Sequence, residues 1–190
     1  MEPSAERGCE AGVLVTAHCI LNRATRWWQN GKPKEEDRGP VSEILQLLSA
    51  LKIDMVQLPC PEFTFCGNPR PPRTKDEYNN LPGFRLHCER LAKASALNLK
   101  DMATTGRKPG IKIPAVVGVE KSPTCGVGRT PRTVDGKRKY LREKGLFFEI
   151  LEKELTSLGV DTPFVGVYLD RHAESRKRLH DLLQREAGFP

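Results

Sequence analysis

Three cysteines stand in stretches that read TAHC, LPCPE and SPTCG: Cys19, Cys60 and Cys125. Thiolates are soft donors, suited to zinc or to iron–sulfur clusters. Zinc takes three cysteines with a histidine or an open fourth position. A cubane held by three thiolates leaves one iron without a protein ligand, free to act as a Lewis acid on a substrate atom. Pro61 fixes the chain after Cys60, and Pro123 and Gly126 bracket Cys125. Rigid and small residues of this kind let backbone approach a bulky inorganic group. The chain holds six cysteines and no Cys-x-x-Cys pair, which argues against thioredoxin chemistry and paired zinc knuckles. The phosphatase pattern, arginine six residues after a cysteine, fails at Cys60 and Cys66, where Cys66 and Pro72 stand instead. Cys9, in a polar start, and Cys88, in a helical pattern, read as inert thiols. Cys66 reads as a spare ligand, a redox partner for Cys60, or a packed thiol.

Other side chains near these cysteines have chemistry to offer. Glu62 lies two residues after Cys60, close enough to serve as a general base if its surroundings tune it; the alternative is a carboxylate that braces the loop. Ser122 is placed to orient a base or relay a proton, or to hydrogen-bond its own turn. Trp28, or its neighbour Trp27, offers a stacking surface for a nucleobase as well as core packing. Asn22 offers hydrogen bonds to a base edge or to a turn. Arg70 and Arg73 suit an anion or a carbonyl brace. His18 reads as a ligand, a supporting group or a satisfied strand histidine. Residues 129–144 hold seven basic and two acidic side chains; this stretch suits a phosphate backbone or a solvated surface loop.

The elements between these residues set where they meet. Continuous apolar, β-branched character predicts buried strands over 12–19 and 113–120, with a short second strand over 54–59 and a fourth over 162–169, in a mainly parallel arrangement. Helical spacing predicts helices over 40–53, 82–98, 141–159 and 171–187, with Phe84, Cys88 and Leu91 facing inward and Leu86 and Leu97 on the flanks. Residues 60–73 and 121–140 read as loops. Strands alternating with helices predict an α/β fold, a single domain over 12–190 with a mainly parallel, Rossmann/flavodoxin-like sheet, and a disordered tail over 1–11. In such sheets right-handed crossovers gather the loops after the strands along one edge, where ligands bind. Cys19, Cys60 and Cys125 each follow a strand, so all three are expected at that edge.

The chain has 190 residues, enough to bury a core without disulfides. Its share of hydrophobic residues is 38% and of charged residues 29%, within the range of globular proteins. The net charge of +7 favours an anionic partner such as RNA or a nucleotide, or serves solubility. The start MEPSAERGCEA is polar and the run GVLVTA is too short for a signal or a membrane span. These features predict a cytoplasmic protein without a membrane partner.

CPE at 60–62, GNPRPPR at 67–73 and KSPTCG at 121–126 resemble the signatures of the thiouracil desulfurase family. TAHCILN at 16–22 is similar to the first motif of that family, a small-residue strand ending in Cys-Leu-Leu-Gly, with Asn22 in the place of the glycine. The resemblance runs from about residue 12 to 170. It implies a [4Fe-4S] cluster held by three cysteines, falling on Cys19, Cys60 and Cys125. It implies an assisting glutamate and serine, falling on Glu62 and Ser122, and a non-redox reaction in which C=S becomes C=O and sulfide leaves. Thr124 stands where the family has a second serine, and the tryptophan pair stands in the family's tyrosine region. The expected partner is a thiolated nucleobase or nucleoside, or a thiolated tRNA. Two competing readings are a metal-bearing RNA- or nucleotide-binding module without catalysis, and a thiol redox enzyme using Cys60 and Cys66.

Overall fold

Small and β-branched residues build the centre of the molecule. The computed structural model describes residues 11–28, 31–32, 39–105 and 110–187. Its strands are β1 (Ala11–Thr16), β2 (Asp54–Gln57), β3 (Ile111–Lys112), β4 (Val116–Val119), β5 (Thr130–Val134), β6 (Lys137–Leu141) and β7 (Phe164–Val167). Its α-helices are α1 (Ser42–Ala50), α2 (Pro61–Cys66), α3 (Lys75–Asn79), α4 (Phe84–Thr105), α5 (Leu146–Ser157) and α6 (His172–Ala187). The parallel sheet runs β2-β1-β4-β7, with short β3 beside the start of β1. Val15 of β1 pairs with Val56 on one side and Val116 on the other, and Val117 of β4 pairs with Val165. β4 is buried along its whole length, as a central parallel strand must be when helices cover both faces. The fold is the α/β architecture with a mainly parallel sheet that the strand and helix pattern predicts.

α1 packs with α6, and α4 packs with α5. The chain steps from β1 out to β2 through α1, and from β4 out to β7 through α5. Right-handed crossovers in opposite directions put those two helices on opposite faces. Phe84, Cys88, Ala92, Ala96 and Leu99 form the buried stripe of α4. Leu86 and Leu97, 50% and 43% exposed, lie off that stripe. Leu146, Phe147, Phe148, Leu151 and Leu155 do the same work on α5. Among the described residues no helix is long and apolar enough to cross a membrane.

Several expected boundaries shift. The helices expected over 40–53 and 141–159 are the shorter α1 and α5, while the one expected over 82–98 extends as α4 to Thr105. The strand expected over 113–120 narrows to β4, with Ile113–Ala115 irregular. Residues 60–73 are not all loop: α2 begins at Pro61, since the first helical position tolerates a missing N–H. The loop expected over 121–140 contains the antiparallel hairpin β5–β6. Its turn is Asp135-Gly136, both at positive φ, 51° and 69°, the pair favoured in tight hairpins. Residues 1–10, with Cys9, lie outside the described residues, and Ala11 already pairs in β1.

Candidate active site

The carboxyl ends of β1, β2 and β4 each deliver one thiol. Cys19 sits in a single 3-10 turn, His18–Ile20, directly after β1. Cys60 is the N-cap of α2. Its extended backbone is what the residue before proline must adopt, and Pro61 then opens the helix. The Cys60 sulfur takes the place usually held by a capping oxygen and accepts from the Phe63 N–H at 3.4 Å. Cys125 lies in the turn after β4, under tight packing. A side chain on Gly118 would run into the Cys125 carbonyl oxygen, and one on Gly145 into the Thr124 backbone. Ser122 fixes this turn: its oxygen accepts from the Cys125 N–H at 3.0 Å and the Thr124 N–H at 3.3 Å.

The three thiols meet at one cavity of about 620 Å³, which Glu62, Ser122 and Thr124 also line. The Cys19 thiol beside Cys60, with burial, pushes the Cys60 thiol well up. Burial does the same to Cys125, with Cys60 adding to it. Both thiols therefore carry their protons at neutral pH, and a bound metal would displace them. Among the described residues, no group of three or more histidine, cysteine, aspartate or glutamate side chains is arranged to hold a metal ion.

Glu62 is 9% exposed and has three donors around it. Thr124 Oγ1 donates to its Oε1 at 2.7 Å, and the Tyr78 hydroxyl donates to its Oε2 at 3.1 Å. Arg70 Nη2 reaches the same Oε2 at 3.5 Å. Burial, with Glu62 beside it, raises the Tyr78 hydroxyl far above its ordinary range, so it remains a donor. Thr124 also lies 3.4 Å from Ser122 Oγ and 3.5 Å from Cys125 Sγ, so it joins the carboxylate to the third thiol.

Of the residues picked for substrate binding, Arg70 lines the cavity, while Asn22 and Trp28 are not on its wall. Arg70 is 4% exposed and braces loops, donating to the Thr25 carbonyl at 2.8 Å and Asn68 Oδ1 at 2.7 Å. Asn22 donates to Gln57 Oε1 at 2.5 Å, and Trp28 Nε1 donates to the Ala24 carbonyl at 3.1 Å. Trp27 is the tryptophan on the wall. His18 Nδ1 meets Gln57 Nε2 at 2.8 Å. Burial, with Arg70 behind it, lowers the affinity of His18 for a proton. Cys66, half-buried at the end of α2, is off the cavity wall. Cys88 is a core thiol pushed up to about 12 by burial. Tyr78 is a site residue for which no role was expected. The sequence carries a signal for the helix that presents it: Thr74 and Glu77 form a reciprocal capping box at the start of α3.

Three comparisons bear on this arrangement. A family model described as "Putative 2-thiouracil desulfurase" matches residues 11–159. An uncharacterised protein of Methanocaldococcus jannaschii is 26% identical over 148 residues, 78% of this chain and 80% of its own. A solved structure of the [4Fe-4S]-dependent thiouracil desulfidase TudS superposes with a TM-score of 0.50 at 20% identity, covering 90% of this chain and 97% of that one. At that identity the likeness is one of fold. The family match takes in β1, β2 and β4 and all three thiols at their ends: the chain belongs to the 2-thiouracil desulfurase family.

Proposed function

We propose that this protein is a non-redox desulfidase that replaces the sulfur of a thiolated nucleobase or nucleoside with oxygen, using a [4Fe-4S] cluster held by Cys19, Cys60 and Cys125. The observation that carries this reading is the convergence of three thiols from three strand ends on one cavity beside a buried carboxylate. The residues suit such a cluster. Three thiols from separate strand ends on one cavity wall are the kind of soft donor set that an iron–sulfur cluster takes, each thiolate on its own iron. When bound, the cluster supplies a soft Lewis acid for thiocarbonyl sulfur.

The chain's own groups do the rest. Tyr78 and Arg70 hold Glu62 Oε2, so Oε1, partnered by the Thr124 hydroxyl, faces the reaction. Glu62 takes the proton from a water that attacks the thiocarbonyl carbon. The C–S bond breaks, carbonyl oxygen replaces sulfur, and hydrosulfide leaves with no net oxidation or reduction. Ser122 holds the Cys125 turn by accepting two N–H groups, which leaves its own hydroxyl proton to donate.

Anaerobically purified protein is expected to be brown, to contain iron and acid-labile sulfide, and to release sulfide from thiouracils. Cys125→Ser is expected to lose the cluster and Cys66→Ser to keep it. Colourless zinc protein that releases no sulfide from any thiolated base would replace this reading with a binding module. Loss of activity in Cys66→Ser with the cluster intact would favour thiol redox chemistry.

A further inference from the structure

The desulfidase reading makes no use of the β5–β6 hairpin. β6 reads Lys137-Arg-Lys-Tyr-Leu141 and is exposed at every position. Among the described residues it pairs only with β5, in a two-stranded ribbon separate from the parallel sheet. Alternation sends Arg138 and Tyr140 to one face and Lys137 and Lys139 to the other. Arg138 and Tyr140 line the cavity, so the ribbon is part of its wall. Lys137 and Arg142 have no ion-pair partner among the described residues, and Lys139 meets only the exposed Asp135, at 3.2 Å. Such a surface pair contributes little and is screened by salt.

Two observations separate this ribbon from an ordinary solvated strand. Lys121 sits between two rings at the mouth, 5.7 Å from Tyr140 and 5.8 Å from Tyr168. Tyr140 is 45% exposed, so its ring offers a base-stacking surface beside a cation. Arg70 and Arg73 add two further cationic groups to the same cavity wall as Arg138 and Tyr140.

We propose that the β5–β6 ribbon binds the phosphodiester backbone of a single-stranded polynucleotide and brings one of its bases to the cavity. That the base is a thiolated substrate rests on the desulfidase reading; the backbone binding does not. Cations on both faces of the ribbon edge follow the strand from outside, and the positive cavity wall draws its charge inward.

The test is fluorescence anisotropy of the full chain with labelled oligouridylate of about 12 nucleotides, and its DNA counterpart, across a salt series. The wild type is expected to bind, more weakly as salt rises. The Lys137→Glu/Lys139→Glu/Arg142→Glu variant should bind at least tenfold more weakly, with a salt slope reduced by about 2. These side chains are exposed and off the cavity wall, so the variant's melting point and its sulfide release from free thiouracil should match the wild type. Sulfide release from a thiouridine-bearing oligonucleotide should fall with binding. Equal binding of RNA and DNA places recognition in the phosphodiester alone, and preference for RNA adds the 2′-hydroxyl. Failure of the wild type to bind, or unaltered binding by the variant, overturns the proposal even where free thiouracil is desulfurised. Lost binding in the variant without sulfide release from any substrate overturns the desulfidase reading and leaves the ribbon's role standing.

Discussion

Glu62 shows how little freedom the site leaves to its carboxylate. Thr124, Tyr78 and Arg70 occupy three of its acceptor positions and leave one on Oε1. Glu62→Gln keeps the shape, removes the base and puts an amide where Tyr78 donates. Sulfide release is expected to fall about 100-fold or more, with iron content unchanged; a variant as fast as wild type rules out the base role. Tyr78→Phe removes a buried hydrogen bond to a charged group. It should lower unfolding free energy by about 1.5–3 kcal/mol in urea titration and slow sulfide release, with the cluster retained. The three thiols and Glu62 were legible in the sequence because motif residues at strand ends have few places to go. Tyr78 was not, because its partner is 16 positions away and nothing along the chain marks a tyrosine as a carboxylate donor.

Each thiol depends on the element that carries it. Cys60 is set by the junction of β2 and α2, Cys125 by the glycines that let β4 and α5 close on its turn. Gly118→Ala is expected to destabilise the protein by about 1–3 kcal/mol and to lower iron content, since the methyl group forces the Cys125 backbone aside. The hairpin has a different anchor. Arg132 on β5 holds Asp76 of α3 at 2.8 Å and Glu143 at 2.9 Å. Hydrogen bonding to Arg132 holds Asp76 below the ordinary value of 3.8. Its folded-state pKa is the lower one, so its contribution is complete above that ordinary value and fades as pH falls through the depressed one. The urea midpoint of wild type should therefore drop on acidification below about pH 4, and Arg132→Gln should flatten that drop. The central strands β1 and β4 were readable from their apolar runs. β6 was not, because its charged residues hide the alternation, although Asp135-Gly136 was a hairpin signal in plain view. α2 was hidden by Cys-Pro, which reads as a break when it is in fact a cap and a first turn.

At the scale of the whole molecule, one parallel sheet aims its strand ends at one cavity. The order β2-β1-β4 makes neighbours of three thiols that lie far apart in sequence. A guest bound across those ends ties together loops from three strands and favours the folded chain. Reconstituted protein is expected to melt above the metal-free form, a difference that Cys125→Ser should abolish; equal melting points would argue against ligation across the three loops. The fold class was legible from alternation alone. The basic groups of 129–144 and of the proline-rich loop were marked in the sequence, but not that they share one rim with the turn after β4. The lack of clearance around Gly118 has a consequence for descent as well as for packing. Divergence can rework the doorway, whose side chains stand in open water, and so trade one sulfur-bearing guest for another. The seat of the third thiol has no room to wander, and relatives with new diets should differ at the threshold while keeping that bare glycine.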